Sequence, residues 1–276
     1  MSRLSPLMLV VASLLVWSGF ASAQEKAKIL FLGANPDHPH GSHMYMHTSG
    51  VLAKCAELTP GVKALVSNGW PKDEKSLEGV TGIVFYTSPG AELMLESPHR
   101  DAFDRLMKKG CGLTTIHWAT AVREKNLDRL GPTWFSYLGG TWVSNVGGLH
   151  FGDGKLIQMM PEHPICRGWK ERTINDEYYL GPTIKQAKPL LKVKYVKKQK
   201  DAETEHEVTV GWVYERPDGG RSFATTLGHP YRNFQDEAFR RMIVNGILWS
   251  SKVEIPQAGA RVDVDEETLA LPAAKK

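Results

Sequence analysis

Histidine is unevenly placed in this chain. Residues 35–47 read NPDHPHGSHMYMH and hold His38, His40, His43 and His47, four of the ten histidines. This stretch follows an apolar run, AKILFLGA, that reads as a buried strand. His117 follows a second apolar run, GLTTI, and Trp118 comes next. His229 follows a third, SFATTL, after Gly228. In an open α/β sheet, ligands bind outside the carboxyl ends of the strands. Histidines leaving three strands near their ends can therefore share one rim. There, neutral imidazole would ligate a metal or carry protons. Each also has a plainer reading. His117 fits a buried ring satisfied by a backbone carbonyl, and His229, before Pro230, fits the closure of a turn.

Other polar residues join these with less force. His40 is preferred to His38 as the ligand from the first loop, because Pro39 between them sends the rings different ways. His43 beside Ser42 reads as a helix-start residue, and His47 falls inside a helical pattern; both are expected to be structural. His99, His163 and His206 read as surface or turn residues. His150 follows a glycine-rich loop, GGLHF, whose place relative to the sheet the sequence does not fix. Asp176 and Glu177 in NDEYY are candidates for an acid/base pair or for partners of histidine ligands; a solvated turn is the alternative. Ser88 follows another apolar run, GIVFY. Trp118, Trp142 and Tyr178 offer flat faces for a ring-shaped ligand, or simply core packing.

The elements that must position these groups alternate in type. Residues 28–32, 62–66, 82–86 and 112–116 read as strands, and the apolar GIVFY fits a strand buried on both faces. Helical spacing covers residues 46–58. Residues 97–109 read as a helix with Ser97 as N-cap and Pro98 at the first position. A short helix is expected over 123–130. Such alternation argues for a parallel α/β sheet. Residues 134–200 are rich in glycine, proline and aromatics and read as an inserted or edge β-rich region. Residues 208–214 and 222–227 form a hairpin pattern around Pro217-Asp218-Gly219-Gly220. Residues 236–250 are the last strong amphipathic helix. Residues 256–276 read as a tail or docked strap.

Composition excludes some partners. The formal charge of +4 is mild. The one basic run, KVKYVKKQK, is followed at once by DAETEHE, which reads as a solvated hairpin rather than a nucleic-acid surface. Cys55, Cys111 and Cys166 are too few and scattered for a disulfide framework. Residues 1–23 have the three parts of a secretory leader: Arg3, an apolar core over 7–16, and Ala21-Ser22-Ala23 as cleavage site. A periplasmic or secreted chain beginning at Gln24 is expected, with no membrane association after cleavage.

Four stretches together resemble the ThuA-like (trehalose utilisation) family: KILFLGANPDHPH, GCGLTTIHWAT, PEHPICRGW with INDEYY, and GRSFATTLGHPYRNFQDEAFRRMIVNGILWS. They span residues 28–250, and the last, a strand, TTLGH and a helix ending in GILW, is the most specific. The resemblance implies a flavodoxin-like, class I glutamine amidotransferase-like α/β core: a mostly parallel sheet with helices on both faces. Residues 24–255 would form one domain. In amidotransferases a cysteine on a sharp strand-to-helix turn attacks the amide. Here that turn carries His117, and Cys111 lies at the other end of the strand, so cysteine glutaminase chemistry is not expected. The resemblance implies carbohydrate metabolism on keto-sugars or glycosides, and some relatives resemble metal-binding proteins. By motif it carries over His40 or His38, His117, His229, Asp176 and Glu177, and His150 less securely. Two classes of function follow. One is a metal-assisted isomerase, lyase or hydrolase of a sugar with Zn²⁺ or a similar ion. The other is a non-catalytic sugar- or metal-binding module.

Overall fold

The computed structural model describes residues 27–199 and 202–274; the leader pattern at 1–23 lies outside them. The strands are β1 (Ala27–Gly33), β2 (Val62–Asn68), β3 (Val80–Phe85), β4 (Gly112–Ile116), β5 (Ala121–Arg123) and β6 (Gly140–Ser144). They continue with β7 (Leu149–Gln158), β8 (Arg172–Tyr179), β9 (Thr183–Ile184), β10 (Lys188–Gln199), β11 (Ala202–Glu215) and β12 (Arg221–Thr225). The helices are α1 (Tyr45–Glu57), α2 (Gly90–Leu95), α3 (Arg100–Lys108), α4 (Leu127–Leu138), α5 (Arg232–Gln235), α6 (Glu237–Ser250) and α7 (Glu266–Leu269).

The main sheet has the order β2-β1-β3-β4-β12-β11-β10-β7-β8. Its first five strands are mutually parallel. Their spatial order is that of the flavodoxin-like doubly wound sheet. The remaining four add on antiparallel. The β-rich middle expected from composition is therefore an extension of the same sheet, with β5, β6 and β9 as a small satellite sheet.

Strand alternation feeds two cores, one on each face. Ile29 and Phe31 join a cluster with α1 and α6 residues such as Leu52 and Ile247. Leu30 and Leu32 join a cluster with Met94 of α2, Phe103 of α3 and Trp134 of α4. Helices thus cover both faces of the sheet.

Several boundaries differ from those expected. The helix predicted from Ser97 begins at Arg100, because the Ser97 hydroxyl accepts from the His99 N–H and holds a turn ahead of the helix. The short helix expected over 123–130 is α4, which runs on to Leu138 with Pro132 inside it. The basic run and DAETEHE pair as the β10–β11 hairpin, with Lys192–Glu207, Lys194–Glu205 and Lys198–Glu203 across it. Beyond α6 the chain docks as a strap. Ile255 and Val262 are buried, Arg240 donates to the Val262 carbonyl, and Tyr231 donates to the Leu269 carbonyl.

His163 caps the turn Pro164–Cys166 by accepting from the Ile165 N–H, with its ring 5.0 Å from that of Trp249. Burial lowers this imidazole to about 4. The unfolded chain takes up this proton near pH 6.5, and the folded chain only near 4. Between those values the unfolded state binds more protons, so stability falls as pH falls. His163→Asn keeps a capping acceptor without the titration. The variant is expected to lose less of its denaturant midpoint than wild type between pH 7 and 5.

Candidate functional site: a histidine cluster on the strand-end rim

The loops leaving β1, β4 and β12 meet at the carboxyl edge of the parallel strands. They bring together His43, His117 and His229, with one ring nitrogen of each within 4.8 Å of the others. Backbone contacts lock the loops. The His43 N–H donates to the His229 carbonyl at 3.1 Å, and the Tyr231 N–H to the Gly41 carbonyl at 2.8 Å. Ser42 also forms a β-bridge with Pro230.

Two of the three histidines sit in left-handed backbone, with φ of 47° at His43 and 56° at His117. Such φ is costly for a residue with a Cβ, and it is found where surrounding structure enforces it, often at functional sites. At His117 it makes a sharp exit from β4, and the Thr120 hydroxyl closes the turn on the His117 carbonyl.

The second nitrogen of two rings is already committed. His117 Nδ1 lies 2.8 Å from the Thr226 carbonyl, which can only accept, so this nitrogen carries a proton and Nε2 is the atom turned to the cluster. His43 Nδ1 lies 2.8 Å from Asp37 Oδ1, and the Tyr45 hydroxyl donates to Asp37 Oδ2. His43 Nε2 is therefore a free acceptor. Burial, together with charge on His117, lowers His43 to about 3, outweighing Asp37, so its ring is neutral across the physiological range. The facing atoms are His229 Nδ1 at 3.1 Å from His43 Nε2 and 3.3 Å from His117 Nε2. Lone pairs so close require a proton or a cation between them.

Glu177 stands beside this trio. Its Oε2 is 3.4 Å from His117 Nε2 and 3.3 Å from His229 Nδ1. Burial alone would raise its carboxyl, but hydrogen bonds and charge from the two histidines hold it well below the usual carboxylate range. The Tyr179 hydroxyl is 3.0 Å from His117 Nε2.

A cavity of about 210 Å³ opens over the cluster, lined by His38, His43, Trp118, Trp142, Ser144, Asn145, Leu149, Glu177 and Tyr179. Trp142 and Tyr179 stack with centroids 4.1 Å apart.

Strand pleat explains which candidates reach the cavity. Along β8, side chains alternate between faces. Glu177 and Tyr179 share the cavity face, whereas Asp176 and Tyr178 share the other. Tyr178, chosen as a stacking face, is buried and donates to the Ile174 carbonyl. His150 pairs with Tyr178 across the β7–β8 ladder and stacks on Tyr195, away from the histidine trio. His40 bonds the Pro272 carbonyl at 2.7 Å, so this ring ties down the strap, and His38 is the one that borders the cavity. Ser88 is half-buried and does not line the cavity. His43, expected to be structural, stands in the cluster, and His47 bonds Tyr231 instead. The missed signals are the D-x-x-x-x-x-H spacing of Asp37 and His43 and the two-residue period from Glu177 to Tyr179.

Asp176 is fully buried and makes four hydrogen bonds as acceptor. It takes the N–H groups of Glu177, Gly228 and His229 and the Asn233 side-chain amide. Only a carboxylate can accept on both oxygens from four donors. Asp176 thus fixes the His229 loop to β8 rather than facing the cavity. Asp176→Ala is expected to leave those donors unmatched and to cost about 2–4 kcal/mol. A thermal melt lowered by roughly 5–15 °C would report it; an unchanged melt would show that the clamp carries no stability.

The sheet order and the imidazole-floored cavity define an α/β protein of the doubly wound class with its site at the strand-end rim. A family model described as "ThuA: Trehalose utilisation" matches residues 41–250. The chain belongs to this family. A ThuA-like protein from Bacteroides uniformis is 18% identical, with a TM-score of 0.59 over 82% of this chain and 92% of that one. A cytoplasmic protein from Salmonella typhimurium is 13% identical, with a TM-score of 0.55 over 81% of this chain and 99% of that one. Among curated proteins none matches.

Proposed function

We propose that this chain is an exported, metal-assisted enzyme of carbohydrate metabolism that acts on a keto-sugar or glycoside. Convergence of three imidazole nitrogens and one carboxylate oxygen beside an aromatic-walled cavity, which His43 and Glu177 border directly, carries the reading. Family membership supports the carbohydrate class, and the leader pattern in the sequence supports export.

The donor set fits a divalent ion such as Zn²⁺. Nitrogens about 2.0–2.1 Å from a tetrahedral ion lie roughly 3.3 Å from one another. The 3.1 Å and 3.3 Å separations from His229 Nδ1 to the other two nitrogens are close to this, and all three nitrogens lie within 4.8 Å of one another. Asp37 behind His43 and the Thr226 carbonyl behind His117 are the outer partners that fix a ligating ring's tautomer. When bound, the ion would supply Lewis acidity to a sugar carbonyl or hydroxyl.

The chain's own residues divide the remaining work. His43, His117 and His229 hold the ion. Glu177, held ionised, takes a proton from carbon or oxygen and returns it. Tyr179 is a hydroxyl donor at the cluster. Trp118 and Trp142 border the space where a sugar ring would lie against an apolar face.

The first test is elemental analysis of untagged protein, followed by turnover of a panel of 3-keto glycosides. Near-stoichiometric zinc, manganese or a similar ion, with turnover lost to a chelator and restored by the ion, is the expected result. Metal-free protein whose turnover no ion changes would remove the metal from the mechanism. Absence of turnover with metal bound would favour a binding module.

A further inference from the structure

Three of the six strongly exposed large hydrophobics among the described residues lie on one short segment: Val146 at 63%, Leu149 at 54% and Phe151 at 53%. This segment is the turn from β6 into β7 and the start of β7 itself. In the β7–β8 ladder, Leu149 stands opposite Tyr179 and Phe151 opposite Glu177. Directly opposed residues of an antiparallel pair share a face. Leu149 and Phe151 therefore extend the face that presents Glu177 and Tyr179. Leu149 lines the cavity, and the Phe151 ring lies 5.6 Å from that of His229. The apolar surface of Leu149 and Phe151 is thus continuous with the cavity, with Val146 in the turn just before them, and it is left in water where a soluble protein usually places polar groups.

The cavity itself limits what enters. At about 210 Å³ it is of the order of one hexose ring, and no lysine or arginine lines it. A phosphorylated or carboxylated sugar would find no lysine or arginine partner and would meet Glu177, leaving the proposed ion as its only strong counter-charge.

Resting on the reading of the cavity as a sugar site, we infer that Val146, Leu149 and Phe151 form an aglycone subsite. The substrate is a neutral glycoside whose single sugar ring enters the cavity and whose apolar or aromatic aglycone lies on this lip. A second sugar at that position could stack only on the Phe151 ring, and its hydroxyls would meet the aliphatic surface of Val146 and Leu149 with no polar partner to replace water.

The test measures binding of phenyl glucoside, methyl glucoside of the same anomer, and cellobiose to the full chain by calorimetry. Phenyl glucoside is expected to bind about tenfold more tightly than methyl glucoside, as burial of one phenyl face implies, and cellobiose no better than methyl glucoside. Phe151→Ser is expected to bring the phenyl-to-methyl ratio close to one. Equal affinities in wild type, or a ratio that Phe151→Ser leaves intact, overturn the lip and leave the sugar cavity standing. Failure of all three ligands to bind overturns the sugar reading and the lip together. A concentration-dependent dimer abolished by Phe151→Ser would assign the lip to a second copy and overturn the proposal.

Discussion

His117→Ala is expected to weaken divalent-metal binding by more than about a hundredfold, because it removes one of three nitrogens from the cluster. The loss should be specific. His117 sits at the end of β4 with its carbonyl closing a local turn, and alanine in left-handed backbone is strained but small. The melt should shift far less than the affinity. Asp37→Asn supplies the graded control. It leaves all three nitrogens in place and changes the charge of the partner that His43 Nδ1 shares with His38 and the Tyr45 hydroxyl. A loss of about 10–100-fold is expected for such an outer contact. Competition titration with a chromophoric chelator measures both. Equal affinity in wild type and His117→Ala would remove His117 from any metal site.

Glu177→Gln is expected to do the opposite: to keep the metal and lose turnover by about 10²–10⁴-fold, the usual worth of one positioned acid/base group. Glutamine matches the carboxylate in shape, so the cavity wall and the approach to His117 and His229 are retained. It cannot accept a proton. The two variants together separate holding an ion from moving a proton. If Glu177→Gln turns over keto-glycosides at the wild-type rate, Glu177 is only a fourth wall of the cavity.

The sequence made the sheet and its rim legible because both depend on local pattern. Apolar runs such as GLTTI and SFATTL mark buried parallel strands, and the histidine after each falls on the rim by topology alone. His117 and His229 could be read this way. His43 could not, because its role depends on a main-chain pairing between Gly41 and Tyr231, far apart in the sequence, and on a side-chain bond to Asp37 that the turn between them creates. His40 was misplaced for the complementary reason: its partner is a carbonyl of the strap, at Pro272. At NDEYY the alternation was visible but its phase was not. The phase is set by pairing with β7, which places Glu177 and Tyr179 on the cavity face. The separate roles of Asp176 and Glu177 follow from that one-residue difference.

His43 and His229 meet across 186 residues of chain. No subset of neighbouring elements can assemble the trio, so a ribosome must release residues beyond 229 before any metal can find its complete ligand set. Capture of an ion by the complete trio would thus come late in synthesis or after it. For an exported chain it would occur after passage in an unfolded state, in the compartment of arrival, and the metal supply there would decide which ion is loaded. An ion held by the loops leaving β1, β4 and β12 would join residues from distant parts of the chain and add to the stability of the folded state by mass action.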